Sequence, residues 1–271
     1  MTEEVQEEEI TRRRFTRRRF LRIVTAGVAG GAMGLLFSDR ILEVVGVSPT
    51  DFRAVSGEQR QWVMLIDLAK CDGCGECTKG CSKEHFVPEG QEWIKVFKVQ
   101  EELGAEYFLP SPCMHCENAP CVKVCPVGAT FRRDDGVILI DHDRCIGCRY
   151  CMAACPYNAR SFNWGEPAHT PEELSHTYSI EAPWPHRMGV VEKCMFCAHH
   201  TKHGKLPACV RACTAEMGNG AIYFGDIRED AVSNGVETIP LAQTLREKGG
   251  FRFKEELGTR PRVWYLPPRS G

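Results

Sequence analysis

Cysteine carries the chemistry that this chain can do. The stretch from Cys145 to Pro156 reads C-I-G-C-R-Y-C-M-A-A-C-P, spaced C-x2-C-x2-C-x3-C-P. That spacing is the bacterial run that binds iron–sulfur clusters through thiolates. Three thiolates must converge on three corners of one small cube, which demands a tight loop. Gly147, without a Cβ, suits a turn at positive φ. The fourth cysteine is expected to begin a helix leading away, and Pro156 suits a chain leaving the loop. In two-cluster proteins that fourth cysteine ligates the other cluster, so one run implies a partner. Three more are present. Cys71, Cys74, Cys77 and Cys81 repeat the spacing but precede Ser82. Cys113, Cys116, Cys121 and Cys125 are spaced C-x2-C-x4-C-x3-C and precede Pro126. Cys194, Cys197, Cys209 and Cys213 are spaced C-x2-C-x11-C-x3-C and precede Thr214. All sixteen cysteines of the chain fall in these four groups.

The crossing rule predicts four [4Fe–4S] clusters and their ligands. Cys113, Cys116 and Cys121 take Cys155, and Cys145, Cys148 and Cys151 take Cys125. Cys71, Cys74 and Cys77 take Cys213, and Cys194, Cys197 and Cys209 take Cys81. No group lacks a cysteine, so nothing points to a [3Fe–4S] site. Group four, with its wide gap, is the candidate for any different occupant. A disulfide framework gives no reason for the repeated spacing. Zinc sites use two well-separated C-x2-C pairs, not runs of four. A zinc or disulfide structural module is therefore the rival from another class.

Short elements must position these loops. Trp62–Asp67 reads as a strand entering group one. Trp93–Val99 alternates and pairs with Tyr107–Leu109 as a hairpin. Asp134-Asp135-Gly136 marks a turn, and Val137–Asp141 a strand leading into group three. That turn and strand between two cluster loops pairs groups two and three. Ala221–Asp226 is a further strand, which frames groups one and four with the strand before Cys71. The expected fold class is α+β, two interleaved ferredoxin-like two-cluster units with irregular loops after an N-terminal export segment. Residues 48–271 form the four-cluster domain. Within it, unit 110–160 is nested between halves 60–109 and 190–230, and 231–271 is a C-terminal tail. Residues 157–192 are long for a connection and suit contact with a larger partner. Phe251–Pro268 is expected as an extended tail on the surface. His199, His200 and His203, inside group four, are expected as surface residues.

With 271 residues, one or two domains are expected, and a formal charge of −2 argues against a nucleic-acid binder. Four clusters with sixteen thiolates would add roughly −8. Lys70, Lys79, Lys123, Arg149, Lys193 and Arg211 lie near the loops, either to offset that charge and raise reduction potentials or as ordinary solvated side chains. Thr16-Arg17-Arg18-Arg19-Phe20-Leu21-Arg22 looks like a twin-arginine export motif, and a glycine- and alanine-rich apolar run, 23–37, follows. Residues 1–47 thus read as a signal or anchor. Clusters must be inserted in the reducing cytoplasm, so a route for folded proteins fits, with the periplasmic side of the membrane as destination. Residues 48–58 read as a linker.

The chain resembles the four-cluster, ferredoxin-like iron–sulfur electron-transfer subunit of the complex iron–sulfur molybdoenzymes, of the dimethyl-sulfoxide, polysulfide and tetrathionate reductase type. The resemblance covers roughly residues 60–267. It rests on the order of the groups, on C-M-H-C-E-N-A-P-C-V-K-V-C-P-V-G-A at Cys113–Ala129, on D-R-C-I-G-C-R-Y-C-M-A-A-C-P-Y at Asp143–Tyr157, and on the tail G-T-R-P-R-V-W-Y-L-P. Departures are Thr214 where the family has Pro, and the long 157–192 segment. The resemblance implies a non-catalytic subunit placed between two partners, a molybdopterin-type catalytic subunit and an integral-membrane, quinone-linked subunit. The corresponding subunit of a formate dehydrogenase, hydrogenase or nitrite-reducing complex is the alternative.

Overall fold

The computed structural model describes residues 60–100 and 106–269. The export motif, its apolar run and the 48–58 linker lie outside the described residues. In chain order, β1 (Trp62–Asp67) leads through group one into α1 (Glu76–His85). A hairpin of β2 (Ile94–Gln100) and β3 (Glu106–Pro112) follows, then α2 (Pro120–Lys123), β4 (Thr130–Arg132) and β5 (Ile138–Ile140). Next come α3 (Tyr150–Ala153), β6 (Ser161–Phe162), α4 (Pro171–Leu174) and β7 (Val191–Glu192). The remainder holds α5 (Ala198–Thr201), α6 (Ala208–Met217), β8 (Ile222–Asp226), β9 (Ala231–Ser233), β10 (Thr238–Pro240), α7 (Leu241–Glu247) and β11 (Val263–Leu266).

A five-stranded sheet, ordered β10-β9-β8-β1-β11, is the frame. β1 runs antiparallel to β8, with Met64 opposite Phe224, and parallel to β11, with Met64 opposite Val263. All six residues of β1 are buried, because its alternating side chains face two different cores. Trp62, Met64 and Ile66 join the large core that contains the buried cysteines. Val63 and Leu65 face a smaller one with Tyr223, Val232, Leu241 and Leu266. Beside this frame, α1 and α6 pack against each other. Gly80 permits this: a Cβ there would sit 2.4 Å from Ala212 Cβ and 3.3 Å from the Ala208 carbonyl oxygen.

Two expectations are corrected. The fourth cysteine does not begin a helix. In groups one and four the helix already contains the third cysteine and runs on through the fourth, over ten residues. In groups two and three a four-residue helix holds the third cysteine and ends before the fourth. Pro126 and Pro156 explain the early stop, since the residue before proline is pushed out of the helical region. Ser82 and Thr214 impose no such stop.

Nor is Phe251–Pro268 a surface tail. Val263 and Tyr265 are fully buried in β11, and Tyr265 Oη donates to the Pro110 carbonyl at 2.9 Å. Four apolar residues, V-W-Y-L, make a good strand, and β1 offers a free edge to pair with.

The 157–192 segment carries strand pairing and buried side chains of its own. β6 and β7 pair at its base, Ser161 with Glu192 and Phe162 with Val191. Thr170 caps α4 by accepting from the Glu173 amide. His186 is buried, and its Nδ1 donates to Glu192 Oε1 at 2.6 Å while Nε2 donates to the His85 carbonyl at 2.7 Å. An imidazole donating from both nitrogens is an imidazolium. Burial alone would lower its pKa, but Glu192 outweighs that and raises it. The segment is thereby fastened to the end of α1.

Candidate iron–sulfur centres

The four cysteine loops share one local device. The residue just before the second cysteine has positive φ in every group: Gly73 (80°), His115 (42°), Gly147 (66°) and Phe196 (52°). A left-handed residue there reverses the chain, so that the two thiols of C-x2-C point the same way. Glycine does this without strain in groups one and three. In groups two and four, non-glycine residues adopt it at a cost of order 1–2 kcal/mol. His115 and Phe196 offset that cost together, since both are buried and their rings stack with centroids 3.8 Å apart.

The thiols converge across groups. Burial is the leading cause that raises their pKa values, and neighbouring thiols add to it, which identifies the neighbours. Cys77 is pushed up to about 12 by burial and then by Cys213 and Cys71. Cys81 is raised by burial and by Cys194 and Cys197, and Cys209 by burial and by Cys197, Cys81 and Cys194. Cys116 rises to about 12 through burial, with Cys113, Cys121 and Cys155 adding. Cys125, Cys145, Cys148 and Cys151 line one cavity, together with Ala129, Ile140 and Val191. Successive sets also face one another: Cys77 acts on Cys209, Cys113 on Cys194, and Cys121 on Cys151. None of the sixteen cysteines is in a disulfide.

The residues present fit [4Fe–4S] clusters. Sixteen thiols gathered in sets repel one another as thiolates and need a cationic core between them. The apolar cavity around Cys125, Cys145, Cys148 and Cys151 is such a cradle. Backbone N–H groups are already directed at sulfur: Thr130 to Cys125 at 3.4 Å, Ala208 to Cys197 at 3.3 Å, and Ala221 to Cys213 at 3.3 Å. Burial would raise Cys125, but amides of Thr130, Val127 and Ala129 hold it below its ordinary value. Buried His85 places Nε2 3.0 Å from Cys197 Sγ.

The basic residues divide sharply. Lys70 pairs with Glu237 at 2.8 Å, Lys79 with Glu76 at 2.6 Å, and Arg211 with Glu84 at 2.9 Å. Lys123 donates to Asn118, and Arg149 lies 4.3 Å over the Trp164 ring. Only Lys193 of the six is buried. Sequence reasoning missed Arg160, buried and facing Cys121, Cys151 and Cys113. Its sole signal was position, five residues after Cys155. His203 is exposed as expected, but His199 and His200 are half-buried against Glu84, with His200 Nε2 at 2.5 Å. Nothing local in the sequence announces that α1, which carries Glu84, reaches them.

Loops of this geometry on a mixed helix-and-strand frame define a carrier of iron–sulfur clusters. Two family models, each described as a 4Fe-4S dicluster domain, match residues 70–129 and 105–170. A selenate reductase subunit of Mesobacillus selenatarsenatis is 42% identical over 222 residues, covering 76% of this chain and 72% of that one. A putative dimethyl sulfoxide reductase iron–sulfur subunit of Halobacterium salinarum is 45% identical over 219 residues, 75% and 78% of the two chains. The Hdr-like menaquinol oxidoreductase iron–sulfur subunit 1 of Archaeoglobus fulgidus is 37% identical over 248 residues, 80% and 86%. The chain belongs to the family of iron–sulfur electron-transfer subunits of the complex iron–sulfur molybdoenzymes. It carries four [4Fe–4S] clusters.

Proposed function

We propose that this subunit relays electrons from a quinone-linked membrane subunit to a molybdopterin-type catalytic subunit, or in reverse, on the periplasmic side of the cytoplasmic membrane. The observation that carries this reading is the unbroken succession of facing thiol sets, from the Cys71 set through the Cys194 and Cys113 sets to the Cys145 set. Both ends of that line open toward solvent: Cys74 is exposed at one, and Ile146 and Tyr150 are exposed beside the other. Relatives named for selenate, dimethyl sulfoxide and menaquinol chemistry support partners of those two kinds. When bound, the clusters supply one-electron exchange without making or breaking bonds to carbon or oxygen.

The ligand sets follow the crossing pattern: Cys71, Cys74, Cys77 with Cys213; Cys194, Cys197, Cys209 with Cys81; Cys113, Cys116, Cys121 with Cys155; Cys145, Cys148, Cys151 with Cys125. The chain's own residues do three things for them. The left-handed residue in each loop orients the thiols. Apolar neighbours such as Met114, Ile140 and Val191 exclude water. Amides of Thr130, Ala208 and Ala221 hold sulfur lone pairs, which favours the more negative state. We read the domain as two interleaved two-cluster units, the inner one spanning groups two and three. Pairing of β1 with β8 and packing of α1 on α6 support that arrangement. Residues 11–37 direct export of the folded, loaded chain by the twin-arginine route.

Iron and acid-labile sulfide on anaerobically purified protein, with EPR of oxidised and dithionite-reduced samples, test the reading. About 16 iron per chain, a silent oxidised state and a coupled reduced spectrum are expected. Little iron in protein kept anaerobic throughout would end it. Lysine substitution of Arg17 and Arg18 is expected to leave loaded protein in the cytoplasm. Unchanged periplasmic recovery would remove the export assignment alone.

A further inference from the structure

Two buried cations remain without a counter-ion. Arg160 is 5% exposed and Lys193 4%. Lys193 Nζ donates to the carbonyls of Ile138 and Cys194. Arg160 Nη1 reaches Thr130 Oγ1 at 3.4 Å, and Nη2 has no hydrogen-bond partner among the described residues. Among those residues neither makes an ion pair with a carboxylate. A buried charge is costly unless an opposite charge stands nearby. The anions at hand are thiolates. Lys193 faces Cys113, Cys194 and Cys121, and Arg160 faces Cys121, Cys151 and Cys113.

Cys113 and Cys121 are common to both. The set of Cys113, Cys116, Cys121 and Cys155 therefore lies between two cations, Lys193 toward Cys194 and Arg160 toward Cys151. The sets built on groups one and four have carboxylates beside them, although Lys193 also reaches Cys194 of the group-four set. Asp72 faces Cys71, Cys74 and Cys213, and Glu84 faces Cys81 and Cys197. Glu84 is in part offset there by Arg211.

We propose that Arg160 and Lys193 set the potential of the cluster on Cys113, Cys116, Cys121 and Cys155, holding it above the clusters of groups one and four so that an electron rests there. The proposal rests on the ligand sets given above. Reduction brings in one electron, takes the core from +2 to +1, and moves no proton. A nearby fixed cation favours the state with the extra negative charge. Arg160 supplies such a charge at any working pH.

The test is an EPR-monitored dithionite titration of the loaded full chain in its complex, for Arg160→Gln and Lys193→Met. With iron still about 16 per chain, the same cluster should become harder to reduce in both variants. The ratio of reduced to oxidised at the wild-type midpoint should fall about tenfold, which for one electron is about 59 mV. Arg160→Lys and Lys193→Arg should keep the wild-type midpoint. Unmoved midpoints at full iron overturn the proposal and leave the ligand sets standing. A wild-type chain far short of 16 iron overturns the ligand sets instead. If both neutral variants lose iron while the charge-keeping ones retain it, the cations serve assembly, and the potential-setting role falls.

Discussion

The outer and inner pairs of cysteine groups solve one problem in two ways. Groups two and three lie close in the chain, from Cys113 to Cys155, and meet across the β4–β5 hairpin. Short helices suffice, and proline ends each one. Groups one and four are separated by a long stretch of chain, from Cys81 to Cys194. Nothing local can bring them together. Their ten-residue helices do so by packing, with Gly80 against Ala212. The residue after the fourth cysteine thus decides more than a loop ending. Proline permits a self-contained unit, and serine or threonine permits a helix long enough to dock on a distant one.

Breaking the helix contact should have the largest effect. Gly80→Val places side-chain carbon inside Ala212 and against the Ala208 carbonyl. We expect loss of the outer clusters with retention of the inner ones, seen as a fall from about 16 to about 8 iron per chain. Equal loss from both pairs would erase the distinction between them. Exchanging the punctuation comes next. Ser82→Pro imposes the inner pattern on α1, where an interior proline costs roughly 3 kcal/mol and meets the Thr78 carbonyl. The reverse change, Pro156→Ser, should cost under about 1 kcal/mol, mainly by loosening the unfolded chain. Denaturant midpoints of the two variants, compared at matched iron content, measure the asymmetry.

A smaller effect concerns the latch on α1. The raised pKa of His186 means that its pairing with Glu192 stabilises the fold fully below the unfolded value of about 6.5. That contribution is lost as pH rises through the higher folded value. Stability of the wild type should therefore decline as pH rises above about 6.5, and His186→Gln should be weaker at pH 6 but flatter. An identical slope in the variant would assign the decline to other groups. Lys79→Ala should be the least consequential, with no resolvable change in the denaturant midpoint, because its pair with Glu76 is exposed.

What is legible in the sequence is what depends on near neighbours. Cysteine spacing, the Asp134–Gly136 turn and the β2–β3 hairpin are all set by residues a few positions apart. The helix lengths are legible in principle, from Pro126 and Pro156 against Ser82 and Thr214, but only when the residue after each cysteine is weighed as heavily as the cysteine itself. β11 reads as a tail because prolines and arginines bracket four apolar residues, and its partner β1 lies at the other end of the described chain. Arg160 and Lys193 illustrate the limit more sharply. One carries no local mark and the other looks like the five bases that stay unburied, since burial of a cation among thiolates is decided by where four distant loops end up.

The parallel pairing of β1 with β11 has a consequence for synthesis. A ribosome releases β11 about 200 residues after β1. At about 5–20 residues per second the first strand waits roughly 10–40 s for that neighbour. Through that interval Met64 and Ile66 stay uncovered on one edge, while the stretch from Cys113 to Cys155 is already complete. Nascent chains therefore have an order of maturation written into them, inner groups before outer ones, and any factor that guards the growing polypeptide must hold β1 until β11 has emerged.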